Sequence, residues 1–153
     1  MITTADRVTR HTGDTVLRSI HEAMRHRIEY FAQHPEQIPR RLHELDAEWD
    51  VERCVETGSA SLTLAGLLLG ISASRKWLLL SIGVQGFFLQ HALQGWCPPL
   101  PVLRRLGVRT AEEIAQERYA LKALLGHFEG VSSSEPSAAS RASRAVSLDG
   151  VAP

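Results

Sequence analysis

Hydrophobic and polar positions follow different rhythms in different parts of the chain. Between Asp14 and Gln33 the apolar residues Leu17, Ile20, Met24, Ile28 and Phe31 recur every three or four positions, which predicts a helix with one narrow apolar stripe. Asp14 suits the cap of that helix, expected from Thr15 to about Gln33. Pro35 and Pro39 then break the chain, and Pro39 fits the first turn of a second helix. There Leu42, Leu45 and Trp49 face one way, while Glu44, Glu48 and Glu52 mark an exposed acidic face. No Gly or Pro lies between Arg40 and Thr57, so this helix is predicted to run straight on into the apolar centre. The two N-terminal helices are expected to fold antiparallel with their stripes together. The competing arrangement lays the first helix flat on a membrane.

The centre has no amphipathic rhythm. From Thr57 to Ser74 there is no Asp, Glu, Lys or Arg. Arg75 and Lys76 interrupt, and from Trp77 to Leu103 the only titratable side chains are those of His91 and Cys97. An uncharged run of 18 residues spans roughly 27 Å as a helix, about the depth of a hydrocarbon core. The second segment, Trp77 to Trp96, carries an indole at each end, where the membrane interface favours it. A soluble helix keeps charge on one face, and neither segment does. The predicted fold class is therefore all-α: an integral membrane hairpin of two transmembrane helices with flanking amphipathic helices. A soluble bundle with an unusually apolar central hairpin is the competing fold.

After Cys97-Pro98-Pro99-Leu100-Pro101 the helix must stop, and a short apolar turn is expected before Arg104, Arg105 and Gly107. Thr110-Ala111-Glu112-Glu113 reads as a capping box, opening a helix to about Phe128 with Ile114, Leu121, Leu125 and Phe128 on one face. From Gly130 to Pro153 the chain is too poor in large apolar residues to offset its ordering entropy and is predicted to be disordered. The expected organisation is a flexible start (1–13), a cytoplasmic helical hairpin (14–56), the two-span segment (57–103), a cytoplasmic helix (104–129) and the tail (130–153).

Composition sharpens this in a few places. The 153 residues suffice for one ordinary domain, and 17 basic against 17 acidic residues argue for no nucleic-acid partner. The stretch after Met1 has no apolar core, so no cleavable signal is expected and insertion would use the internal segments. Arg40, Arg41 and Arg53 precede the first span and Arg104, Arg105 and Arg109 follow the second, against Arg75 and Lys76 in the turn. That balance favours both termini in the cytoplasm of an inner-membrane, multi-pass protein.

Three constellations carry candidate chemistry. Gly66-x-x-x-Gly70 lets helix backbones approach closely in lipid, and Gly83, Gly86, Gln90 and Gln94 offer a matching side on the second span, or on another copy of the chain. Gln85, Gln90, His91 and Gln94 are polar at membrane depth. Interhelical hydrogen bonding is their expected role, and a conduction pathway is the alternative. Cys54 lies as far before the Arg75-Lys76 turn as Cys97 lies after it, so a regular hairpin brings both sulfurs to the same depth. They form either a thiol pair that carries sulfur or senses redox state, or two incidental small residues. Two sulfurs and a distant His91 do not complete a tetrahedral shell, so no metal is expected, and no cofactor. Neither HExxH nor a nucleophile elbow nor a phosphate loop is present.

The apolar hairpin, the Gly95-Trp96-Cys97-Pro98 at its end and the apolar stretch closing on Leu106-Gly107 resemble the YgaP-like inner membrane domain, over roughly a third of the chain from Ala60 to Arg109. The resemblance implies a short transmembrane pair. In the member that names the family, this pair is joined to a rhodanese domain that moves sulfane sulfur on a cysteine. Here Cys54 is followed by Val55-Glu56-Thr57-Gly58-Ser59, without the Arg that closes a rhodanese loop, so that activity does not carry over. The expected function is a non-enzymatic anchor or scaffold in the bilayer, pairing with itself or another membrane protein. The alternatives are a thiol-based sulfur or redox carrier centred on Cys97, and a soluble helical adaptor.

Overall fold

The computed structural model describes residues 7–127. Among them there are helices and no strands: α1 (Arg7–Arg10), α2 (Asp14–Gln33), α3 (Ile38–Ala47), α4 (Val51–Ser72), α5 (Leu78–Gln94), α6 (Leu100–Arg105) and α7 (Ala111–Leu124). The all-α class is thus observed. Phe128 and the tail lie outside the described residues. Within the start expected to be loose, Arg7–Arg10 forms a helical turn whose Val8 is buried. Two compact units divide the described residues, one built from 7–23 and 48–114, the other from 24–47 and 115–127.

The first unit is built on the α4/α5 hairpin. The predicted continuous helix into the apolar centre does not form, because α3 ends at Ala47 and α4 begins only at Val51. The reason is Asp50, extended at φ −84° and ψ 171°, whose carboxylate accepts the Arg53 N–H at 2.7 Å. This cap satisfies a donor that a continuous helix would use differently. Val51 N–H turns away to the Arg109 carbonyl at 2.9 Å. At the far end Ser74 caps a 3-10 turn over Arg75–Trp77, and α5 closes on Gly95 in the left-handed region at φ 74°. The proline run does not give a plain turn. Leu100–Arg105 is helical, with Pro101 in its first turn, where the missing N–H costs nothing.

The core of this unit sits at the base of the hairpin. Val8, Val51, Val55, Cys97 and Leu100 are buried there, with Phe88, Trp96, Leu103 and Val108 packed against them. Away from that base the hairpin turns its large apolar side chains outward: Ile71 is 85% exposed, Leu93 71%, Leu79 69% and Ile82 67%. One helical stretch among the described residues, Pro35–Ser72, is long and apolar enough to cross a membrane by length and composition, and α4 is its apolar part. The following helix, α5, has 17 residues.

In the second unit, the C-terminal part of α2, all of α3 and most of α7 share a small core. Ile38, Leu45 and Leu121 are fully buried in it. The α2 stripe is covered as the periodicity predicts, with Ile28 and Phe31 half-buried while Arg25, His26 and Glu29 are exposed. The N-terminal helices are not a self-contained pair, because both reach one carboxylate of α7. Glu117 is fully buried and receives Arg27 at 3.0 Å and Arg41 at 2.9 Å. On the exposed side Arg118 bonds Asp46 at 2.7 Å. α7 ends at Leu124, short of the predicted Phe128, with Gly126 in the left-handed region at φ 76°.

Candidate functional site

Helix α4 carries Cys54 in its first turn, and the chain leaving α5 carries Cys97. What fixes Cys97 is the bend at Gly95. A Cβ there would lie 2.7 Å from the Arg7 carbonyl carbon, so both the positive φ and the approach of α1 require glycine. The Arg7 guanidinium reaches back to the Ala92 carbonyl. Leu100 N–H donates to the Cys97 carbonyl at 3.0 Å, holding the turn before α6. Cys97 is buried, Cys54 is half-buried, and both are free thiols.

The two cysteines line one cleft of about 310 Å³. Val55 and Gly58 of α4 form one wall, Phe87 and Phe88 of α5 another, and Pro98 closes the base. No charged residue lines it. The Ser59 hydroxyl on its wall already donates to the Val55 carbonyl at 2.7 Å. The cleft is therefore an apolar space with two sulfurs as its reactive atoms. The structure brings Cys54 and Cys97 together in this sense, while His91 is not among the lining residues. Among the described residues no three His, Cys, Asp or Glu side chains are placed to hold a metal.

His91 has a different partner. Its ring is 2% exposed, and Nε2 lies 3.0 Å from the Glu52 carboxylate, while Nδ1 has no partner among the described residues. Glu52 was expected on an exposed acidic face. All three acids of that face are paired, and Glu44 and Glu52 stay nearly half exposed: Glu44 with Arg40 and Arg41, Glu48 with Arg109 at 2.6 Å, and Glu52 with His91. Gln85 donates to the Thr63 hydroxyl at 2.8 Å, and Ser81 donates to the Thr63 carbonyl at 3.0 Å, so these two hydrogen bonds join the His91–Glu52 contact in crossing the hairpin.

Gly66 and Gly70 do face α5, but they meet Ser81 and Leu78, not Gly83 and Gly86. A Cβ on Gly66 would sit 3.2 Å from both the Ser81 nitrogen and the Trp77 carbonyl oxygen, and one on Gly70 would sit 2.9 Å from Leu78 Cγ. Gly83 and Gly86 have nothing within 4 Å of such a Cβ. Gln94 is exposed and Gln90 half-buried.

No local pattern points to the buried cluster around Arg104. This guanidinium, 1% exposed, pairs with Glu113 through two bonds of 2.7 and 2.8 Å, and also reaches the Thr12 hydroxyl and the Val108 carbonyl. Glu113 closes the predicted capping box as well, accepting Thr110 N–H at 2.9 Å while Thr110 Oγ accepts Glu113 N–H at 3.2 Å. Burial pushes the Glu113 carboxyl up, but the bonds from Arg104 and Thr110 outweigh it and hold the group below the usual carboxylate range. Comparison of the chain with protein-family models, curated proteins and solved structures finds no match.

Proposed function

We propose that this protein is a two-span helical-hairpin membrane protein, a non-enzymatic anchor or scaffold of the inner membrane acting through helix–helix association. The observation that carries the proposal is the outer surface of α4 and α5. Between Thr57 and Gln94 the only charged residues are Arg75 and Lys76 at the turn, and every leucine and isoleucine of both helices except Leu78 is exposed. Of the most apolar window of the Pro35–Ser72 stretch, only 17% is buried. The core helix of a soluble protein would be covered by its neighbours, and an apolar surface of this extent in water marks a partner or a membrane. Trp77 and Trp96 bracket α5 as interfacial anchors do. The resemblance of the hairpin and its Gly95-to-Pro98 end to the YgaP-like membrane domain points the same way.

The test is side-specific labelling of single cysteines in a chain lacking Cys54 and Cys97, with a membrane-impermeant maleimide on intact spheroplasts. Reporters go at exposed positions: Ser74→Cys in the turn, Glu56→Cys before the first span and Arg105→Cys after the second. Labelling of the turn reporter from outside, with the other two blocked until lysis, supports two spans with cytoplasmic termini. Equal labelling of all three, with release of the protein by alkaline carbonate, overturns the membrane assignment in favour of a soluble helical adaptor.

The shared cleft of Cys54 and Cys97 favours a second function, a thiol-based sulfur carrier centred on Cys97. It predicts a Cys97 persulfide, seen in intact-mass spectra as one added sulfur atom. It also predicts that Cys97→Ala abolishes the cellular effect, whereas a pure scaffold tolerates that change.

A further inference from the structure

We propose that the cleft between Cys54 and Cys97 holds one acyl chain of a bilayer phospholipid, a site that rests on the membrane placement of the hairpin. Polarity selects this occupant. The walls contribute aliphatic and aromatic carbon and two thiols, no charged residue lines the space, and the Ser59 hydroxyl is already bonded. Water filling the cleft would lack the two to four polar partners that an ordered molecule needs, so an apolar guest is favoured over hydration. A volume of about 310 Å³ stands at the lower end of small-molecule pockets, roughly 300–1,000 Å³, which suits a narrow chain better than a fused ring system. The opening supplies the second argument. Leu62 and Phe87 line the cleft and are also half exposed, at 51% and 49%, so its mouth is continuous with the outward apolar surface that lipid would cover. A chain lying along the hairpin can enter sideways with its headgroup left at the interface. Once seated, it would exclude water from both sulfurs.

The full-length protein, reconstituted in phosphatidylcholine vesicles doped with a phosphatidylcholine carrying a mid-chain diazirine, tests this. After photolysis, mass spectrometry maps the adducts. The expected result is several-fold enrichment of adducts on the half-buried cleft residues Val84, Phe88 and Leu103 over the fully outward Ile71, Ile82 and Leu93. Gly58→Phe should abolish the enrichment and leave the outward adducts unchanged. A Cβ at Gly58 meets nothing within 4 Å, so the ring can enter the cleft without moving backbone. Adducts that simply follow exposure, strongest on Ile71, Ile82 and Leu93, would overturn the acyl site and leave the membrane placement standing. An absence of adducts on those three residues would overturn the membrane placement and the acyl site together.

Discussion

Substituting Glu113 by Gln removes one charge from a pair whose two side chains are 1% and 5% exposed. The glutamine keeps an acceptor for Thr110 N–H and for one Arg104 nitrogen, but it leaves the guanidinium buried with no counter-charge. Breaking a buried pair by removing one partner costs about 3–5 kcal/mol, and the retained acceptor places this variant near ~3 kcal/mol. Against a total stability on the order of 5–15 kcal/mol, that is a large fraction. The companion variant Arg104→Met/Glu113→Leu removes both charges and should recover much of the loss. Its residual cost is about 1 kcal/mol for the forfeited capping bond. Chemical denaturation in detergent, followed by circular dichroism, measures both. The pH dependence supplies a second readout with a fixed sign. The folded carboxyl of Glu113 is held below the usual range, so its stabilisation is complete above the unfolded pKa of about 4.3 and is lost as the pH falls through the folded value. Wild type and Glu113→Gln should therefore differ fully at neutral pH and converge in acid. The lowered Glu44, held down by Arg40 and Arg41, is common to both chains and cancels in the difference. A cost below about 1 kcal/mol for Glu113→Gln, or a double variant as unstable as the single, would refute the assignment of this pair as a buried, mutually dependent unit.

Variants at four further positions probe the hairpin. Gly66→Leu must displace Ser81 and meets two backbone atoms at 3.2 Å, so it should cost about 1–3 kcal/mol in the same denaturation assay. Gly83→Ala has nothing within 4 Å and should gain roughly 0.5–1 kcal/mol from helix preference. Gly95→Ala combines a positive φ with the Arg7 backbone in its way, and should expose Cys97 to a small maleimide several-fold faster. Asp50→Ala removes the cap that separates α3 from α4 and should cost about 1 kcal/mol, while Asp50→Asn should cost little, because its amide oxygen also accepts the Arg53 N–H.

What was legible in the sequence was local. The Leu17-to-Phe31 stripe of α2, the turn at Arg75-Lys76 and the Thr110/Glu113 box each need only neighbours within a few positions, and each appears where the spacing put it. The break before α4 needs neither Gly nor Pro, so their absence does not imply a continuous helix. An Asp followed three residues later by a backbone N–H it can cap is an equally local signal, and it decides the boundary. The ion pairs were beyond reach for another reason. Arg104 finds Thr12 across 92 positions and Arg27 finds Glu117 across 90. A periodicity identifies a charged residue as outside the apolar stripe but carries nothing about which distant partner neutralises it. The cysteines fall between these cases: symmetry about the turn predicts one depth for both, and the bend at Gly95 is what sets them on one cleft.

The pairing of the basic residues bears on the proposed orientation. Arg104 and Arg109 follow α5, and both end in buried or half-buried pairs with Glu113 and Glu48. Arg75 and Lys76 in the turn remain exposed. Counted on the folded molecule, the two ends of the hairpin would thus carry nearly equal free positive charge, and the preference for cytoplasmic termini would vanish. The bias acts earlier, however, on the inserting chain, where Lys and Arg count and Asp and Glu contribute little. Glu113 belongs to α7, C-terminal to both helices of the hairpin, so on the proposed two-span placement its pairing with Arg104 follows their insertion. The arginines can therefore direct insertion first and be consumed by the fold afterwards. On the proposed membrane placement, a chain with zero formal net charge keeps its orienting signal in this way, while Arg104 and Arg109 are both paired at the base of the hairpin.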